Sequence, residues 1–167
     1  MKILALDLAL ARTGWALLDG DRVRETNIIT TDSSRLLRFR YLELYEALFT
    51  LFESNDLDIV LVEAPGWMRV SPRTSNQTLE AMLGAWTVCQ VAFAQQQMWD
   101  DCELIRLDPG YAKRLLTGDQ HAAKAVVQAA LEAQGYAMDG LNNDQADAIS
   151  IGVAWWRNEG RVREEER

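Results

Sequence analysis

Cysteine is scarce: only Cys89 and Cys102 occur in the 167 residues. They show no metal-ligand spacing and no disulfide framework. Cys89 falls in an apolar helical pattern and reads as core, and such sparing use suits a reducing cytoplasm, the expected location. Long apolar runs are missing too. None reaches the roughly 18 residues a membrane span needs, so no membrane partner is expected. The run after Lys2 is broken by Asp7 and has no small-residue cleavage site, so a secretory signal is not expected. Repeats, low-complexity tracts and internal linkers are absent. The length suits one domain with a real core over residues 1–157, followed by a charged tail over 158–167 that reads as a frayed helix end or a disordered stretch. The sole histidine, His121, sits at a helix start and reads as a cap or surface residue rather than a catalytic one.

Positive charge is in deficit. The formal net charge of −8 by itself argues against a nucleic-acid partner. Two features oppose that. Several acids have the placement of metal ligands, and two divalent ions would offset about four charges. The basic residues also cluster, in Arg35, Arg38 and Arg40, in Arg69 and Arg73, and in Arg106, Lys113, Arg114 and Lys124.

Apolar periodicity supplies the element order. Residues 3–8 form a short apolar run and read as a buried strand. Residues 11–14 read as a turn, Trp15 to Leu18 as a second strand, Asp19-Gly20 as a hairpin signal, and residues 22–30 as a third strand. Ser33 or Ser34 is the expected cap of a helix running to about Glu53. Residues 58–63 (DIVLVE) form a near-continuous apolar run, the pattern of a central strand buried on both faces, and Pro65-Gly66 ends it. Thr74 or Ser75 opens a helix to about Trp99 that is apolar nearly all round, which suggests a subunit interface. A fifth strand spans 103–107. Two helices follow, over 122–134 and from Asn142 or Asn143 to about Arg157. Three antiparallel strands, helix, strand, helix, strand, helix, helix is the RNase H-like order. The expected fold is therefore α/β, a five-stranded mixed sheet with helices on both faces.

Four carboxylates stand out. Asp7 lies within one apolar strand and Glu63 at the end of another. Asp144 and Asp147 open the last helix three residues apart, on one face. A carboxylate in a buried strand is costly unless something pairs with it. Strand ends and a helix start can converge on one point, and a hard divalent cation is the natural compensation for carboxylates gathered there. Two ions about 4 Å apart would bracket a scissile phosphate, one activating water and the other stabilising the leaving oxygen. Asp7 would bridge them, Glu63 would hold one, and Asp147 with Asp144 the other. Taken singly, each acid has a plainer role as a turn, cap or helix-dipole residue. The four in this order, on these elements, favour the metal site.

The stretches ILALDLALARTGWALLD, DIVLVEAP, HAAKAVVQAALEAQGY and NNDQADAISIGVAWW, with D-x-x-D-A at Asp144, Asp147 and Ala148, resemble RuvC-type Holliday junction resolvases over nearly the whole chain. The resemblance implies a magnesium-dependent endonuclease, with manganese as the alternative metal. It also implies a homodimer that binds four-way DNA junctions and nicks two opposed strands symmetrically, leaving 5′-phosphate and 3′-hydroxyl ends. It lends active-site roles to Lys113 and Lys124, eleven residues apart, where a compact cation near the phosphate stabilises developing charge. Trp67 falls where the family places an aromatic near the junction centre, with stacking on a base and packing at an interface both open. Arg69, Arg73 and Arg114, with Lys113, are the remaining candidate DNA contacts. Family members in bacteria usually carry Asp-Pro-Gly at the first acid. This chain has Asp7-Leu8-Ala9, which resembles the divergent phage branch and would place a phage-encoded chain in its host's cytoplasm. Two other readings share the acids: a related nuclease acting on flaps, forks or RNA-containing duplexes, and a factor resembling the YqgF family in ribosomal RNA processing.

Overall fold

The structure is a computed structural model that describes residues 1–63, 75–96 and 102–165. Among these residues five strands form one sheet in the order β3-β2-β1-β4-β5. Strands β1 (Lys2–Asp7), β2 (Arg12–Asp19) and β3 (Arg22–Thr30) are antiparallel neighbours, while β4 (Ile59–Glu63) and β5 (Glu103–Leu107) extend the sheet in parallel from β1. This is the mixed sheet the element order implies.

Alternation along β1 and β4 divides the core in two. Ile3, Ala5, Ile59 and Leu61 face one side, and with Ala16 and Leu18 of β2 they pack under α5 (Asn143–Trp155). Leu4, Leu6, Val60 and Val62 face the other side and pack under α1 (Leu37–Glu53) and α2 (Asn76–Gln96). Nine residues of α5, from Ala146 to Trp155, are buried, the signature of a helix enclosed on all sides. Gly152 lets it settle on the sheet, since a Cβ there would lie 2.5 Å from Leu18 Cδ1.

The structure corrects several local expectations. Residues 12–14 are not a turn but the start of β2, with Gly14 paired to Asp7. The hairpin turn itself is Gly20-Asp21, because Asp19 pairs with Arg22. Neither Ser33 nor Ser34 caps α1. The cap position is Leu36, and Asp32 instead closes a turn by accepting from the Ser34 backbone and hydroxyl. A short helix α3 (Tyr111–Thr117), which the apolar pattern does not foreshadow, lies between β5 and α4 (Lys124–Glu132). Its seven residues are too few to show a period, and left-handed glycines, Gly110 and Gly118, bound it. Asn142 caps α5 through a full capping box with Gln145. Beyond Trp155 the chain continues as a π turn (Trp156–Gly160) and helix α6 (Arg161–Glu165). Ion pairs from Glu164 to the Met1 amine (2.8 Å) and from Arg163 to Glu103 (2.7 Å) tie α6 to the sheet.

Helix α2 is buried only along Ala85, Cys89, Ala92 and Phe93, where it meets α1 and the sheet, and Val91 is exposed. No helix among the described residues is long and apolar enough to cross a membrane.

Candidate metal centre

Strand register brings the first two acids together. Asp7 pairs with Glu63 across the parallel β1–β4 ladder. Neighbours in register on parallel strands project to the same face. That face is the one α5 covers, because both acids continue the rows Ile3-Ala5 and Ile59-Leu61. On the antiparallel side Asp7 pairs with Gly14. A Cβ on Gly14 would lie 2.0 Å from the Asp144 carbonyl oxygen, so the missing side chain is what allows the head of α5 to reach the sheet here. Asp144 and Asp147 on that first turn are thereby carried to Asp7.

The loop after Asp7 is pinned. The buried Thr13 hydroxyl donates to the Ala9 carbonyl (2.7 Å) and accepts from the Ala9 N–H (3.2 Å). The Thr31 hydroxyl donates to the Leu10 carbonyl (2.7 Å), and Arg40 Nε donates to that same hydroxyl (3.1 Å).

Electrostatics record how close the acids are. Asp7 is pushed up to about 7, first by burial and then by the charges of Asp147 and Glu63; Lys124 opposes this, and Asp144 adds a little. Glu63 is also raised by burial, against the Gly110 N–H that donates to its Oε1 (3.1 Å), with Asp147 raising it further and Lys113 and Lys124 lowering it. Lys124 donates to Asp147 Oδ2. Burial alone would lower its ammonium, but the bond to Asp147 and the charges of Asp147, Asp7 and Asp144 raise it. Arg12 Nη2 lies 2.8 Å from Asp144 Oδ2.

Asp7, Glu63, Asp144, Asp147, Lys124 and Lys113 therefore share one electrostatic neighbourhood. Arg114, beside Lys113 on α3, lies over the Tyr111 ring at 6.0 Å. Trp67, Arg69 and Arg73 lie outside the described residues. Three participants were missed from the sequence. Arg12 and Gly14 were read as turn residues, and Gly110 was not singled out. Gly14 comes beside Asp7 only through the β1–β2 register, so no local pattern marks it.

A divalent metal fits the chemistry of this donor set. All four candidates are hard carboxylate oxygens. A buried Asp7 that resists ionisation at its ordinary pH is the group a cation would favour in charged form. As placed, however, no group of three or more His, Cys, Asp or Glu among the described residues is arranged to hold an ion. The helix carboxylates are engaged by Lys124 and Arg12 instead.

The fold and the acid cluster together define an RNase H-like α/β domain with its carboxylates at adjacent strand ends and a helix head. Within that class the chain is RuvC-like. It is 29% identical over 164 residues to the crossover junction endodeoxyribonuclease RuvC of Synechococcus sp. (strain RCC307), covering 93% of this chain and 98% of that one. To the RuvC of Gloeobacter violaceus it is 26% identical over 162 residues, covering 93% and 88%. Among solved structures, Thermus thermophilus RuvC in complex with a Holliday junction substrate superposes with a TM-score of 0.75 at 18% identity over 92% of both chains. The yeast mitochondrial Holliday junction resolvase Ydc2 gives 0.64 at 13% identity, over 97% of this chain and 80% of that one. No family model matches the chain.

Proposed function

We propose that this chain is a metal-dependent endodeoxyribonuclease that resolves four-way DNA junctions by paired nicks, as a homodimer with magnesium as its metal. The observation that carries the reading is the register of Asp7 against Glu63 beneath the Asp144–Asp147 turn. The near full-length likeness to RuvC proteins, one of them solved on a junction, supports it.

Asp7, Glu63, Asp144 and Asp147 would hold the metal, which supplies an activated water and charge stabilisation at the scissile phosphate. The chain's own residues do the rest. The Gly110 N–H fixes the Glu63 carboxylate, and the Thr13 bonds to Ala9 fix the chain leaving Asp7. Lys124, on the first turn of α4, leaves Asp147 to face the phosphate, where its ammonium stabilises developing negative charge. Lys113 approaches the Glu63 side and adds a second positive charge. Trp67, Arg69, Arg73 and Arg114 are proposed as further DNA contacts. The half-exposed apolar side chains of α2, with exposed Val91, are the proposed dimer surface. Two active sites on a two-fold axis would match the symmetry of a junction.

The test is a labelled four-way junction incubated with protein and Mg2+, beside duplex, flap, fork and RNA–DNA hybrid. Symmetric nicks on the junction, lost in Asp7→Asn, are expected. Equal cutting of flaps or hybrids would overturn the junction assignment, and Asp7→Asn with full activity would overturn the site. Light scattering that finds a monomer at working concentrations would overturn the dimer.

A further inference from the structure

We propose that Arg12 is a built-in counter-ion that competes with the divalent metal for Asp144 and, once displaced, holds a DNA phosphate at the rim of the same site. The inference rests on the nuclease reading above and deepens it. Arg12 opens β2 two residues before Gly14, so both project to the α5 face of the sheet. Because Gly14 admits the head of α5, the guanidinium meets Asp144 directly, Nη2 to Oδ2 at 2.8 Å. The two partners differ in exposure. The Arg12 side chain is 55% exposed and that of Asp144 24%. The carboxylate is thus part of the site's lining, while the guanidinium reaches it from solvent.

Asp147, three residues along α5, is engaged by Lys124 in the same manner. Both helix carboxylates thus carry a cationic partner. A divalent ion that binds Asp144 through Oδ2 would compete with Arg12 for that oxygen. The displaced guanidinium cannot shed its charge. Its planar fork matches a phosphate as well as it matches a carboxylate. A nucleic-acid backbone lying across the site supplies that anion, and by linkage each ligand then aids the other. In a chain of net charge −8, this exchange would let one arginine first balance Asp144 and later bind DNA.

The test measures Mn2+ binding to the full chain by electron paramagnetic resonance without DNA, and junction binding in Ca2+ across a salt series. Loss of a half-exposed ion pair should make Arg12→Gln bind Mn2+ about two- to fivefold more tightly. The same variant should bind the junction more weakly, its slope of log K on log salt shallower by roughly 0.9, one phosphate contact. Arg12→Lys should restore the slope. Unchanged or weaker Mn2+ binding in Arg12→Gln would overturn the competition, and an unchanged salt slope would overturn the phosphate contact. Asp7→Asn separates the two levels. If it abolishes Mn2+ binding while Arg12→Gln changes nothing, only the role of Arg12 falls. If it leaves Mn2+ binding intact, the metal site itself falls and this inference with it.

Discussion

The two faces of the central sheet are built from the same strands and do different work. On the α1–α2 face, β1 and β4 present Leu4, Leu6, Val60 and Val62 to Leu44, Leu48, Phe52 and Phe93. That face is apolar throughout. On the α5 face the alternate residues are smaller, with Gly14, Ala5 and Ala16 admitting a helix whose own contact residues include Ala146, Ala148 and Gly152. Close approach there brings the head of α5 within reach of Asp7 and Glu63. Both faces bury apolar area, and the α1–α2 face does nothing else. The other places carboxylates where burial and mutual repulsion oppose their charge, a local cost that the opposite face helps to offset.

This contrast can be tested by breaking each face in turn. The largest effect on catalysis is expected from Asp7→Asn or Glu63→Gln, each lowering junction cleavage by more than about 1,000-fold, beyond the loss of a single charge contact, while junction binding by gel shift persists. Wild-type rates in either variant would remove the metal site. Lys124→Ala should slow cleavage by about 10- to 1,000-fold in single-turnover assays; an unchanged rate would leave it only an ion-pair partner of Asp147.

The next two variants separate packing from chemistry. Gly14→Ala should cost about 1–3 kcal/mol by overpacking and also disable cleavage by pushing the head of α5 from the sheet. Leu48→Ala, wholly buried on the opposite face, should cost about 2–5 kcal/mol in urea unfolding yet leave cleavage per folded molecule near wild type. If Gly14→Ala keeps full activity, close docking of α5 is not what positions Asp144.

The smallest effect concerns pH in the metal-free protein. The carboxyl of Asp7 is raised in the folded state to about 7 from 3.8. A raised folded value means the folded state favours the proton. Stability from this group is therefore full below about pH 4 and is lost as pH rises through about 7. In EDTA, Asp7→Asn should melt several degrees above wild type at pH 8, at roughly 2–4 °C per kcal/mol, with the difference shrinking toward pH 4. A pH-independent difference would mean that Asp7 ionises in the metal-free protein without penalty.

Much of this was legible in the chain. The apolar runs ending at Asp7 and Glu63 marked central strands, and alternation marked which side chains share a face. Asn142, one of two candidate caps, marked the start of α5, and the structure adds Gln145 to complete a capping box. The short helix α3 was not legible, because seven residues between glycines carry too little periodicity. Nor were the partners of the acids. Gly110 lies 47 positions from the Glu63 it donates to, and no local pattern encodes that pairing.

By itself the sequence determined the five strands and the longer helices, the faces they bury and which acids sit at their ends, because those follow from periods of two and 3.6 along the chain. Only the tertiary structure decided which strand ends are neighbours, that α5 descends onto Gly14, and that Arg12 and Lys124 occupy the helix carboxylates. Such pairings depend on distance in space and on burial, which arise when the layers pack and are not properties of any one segment.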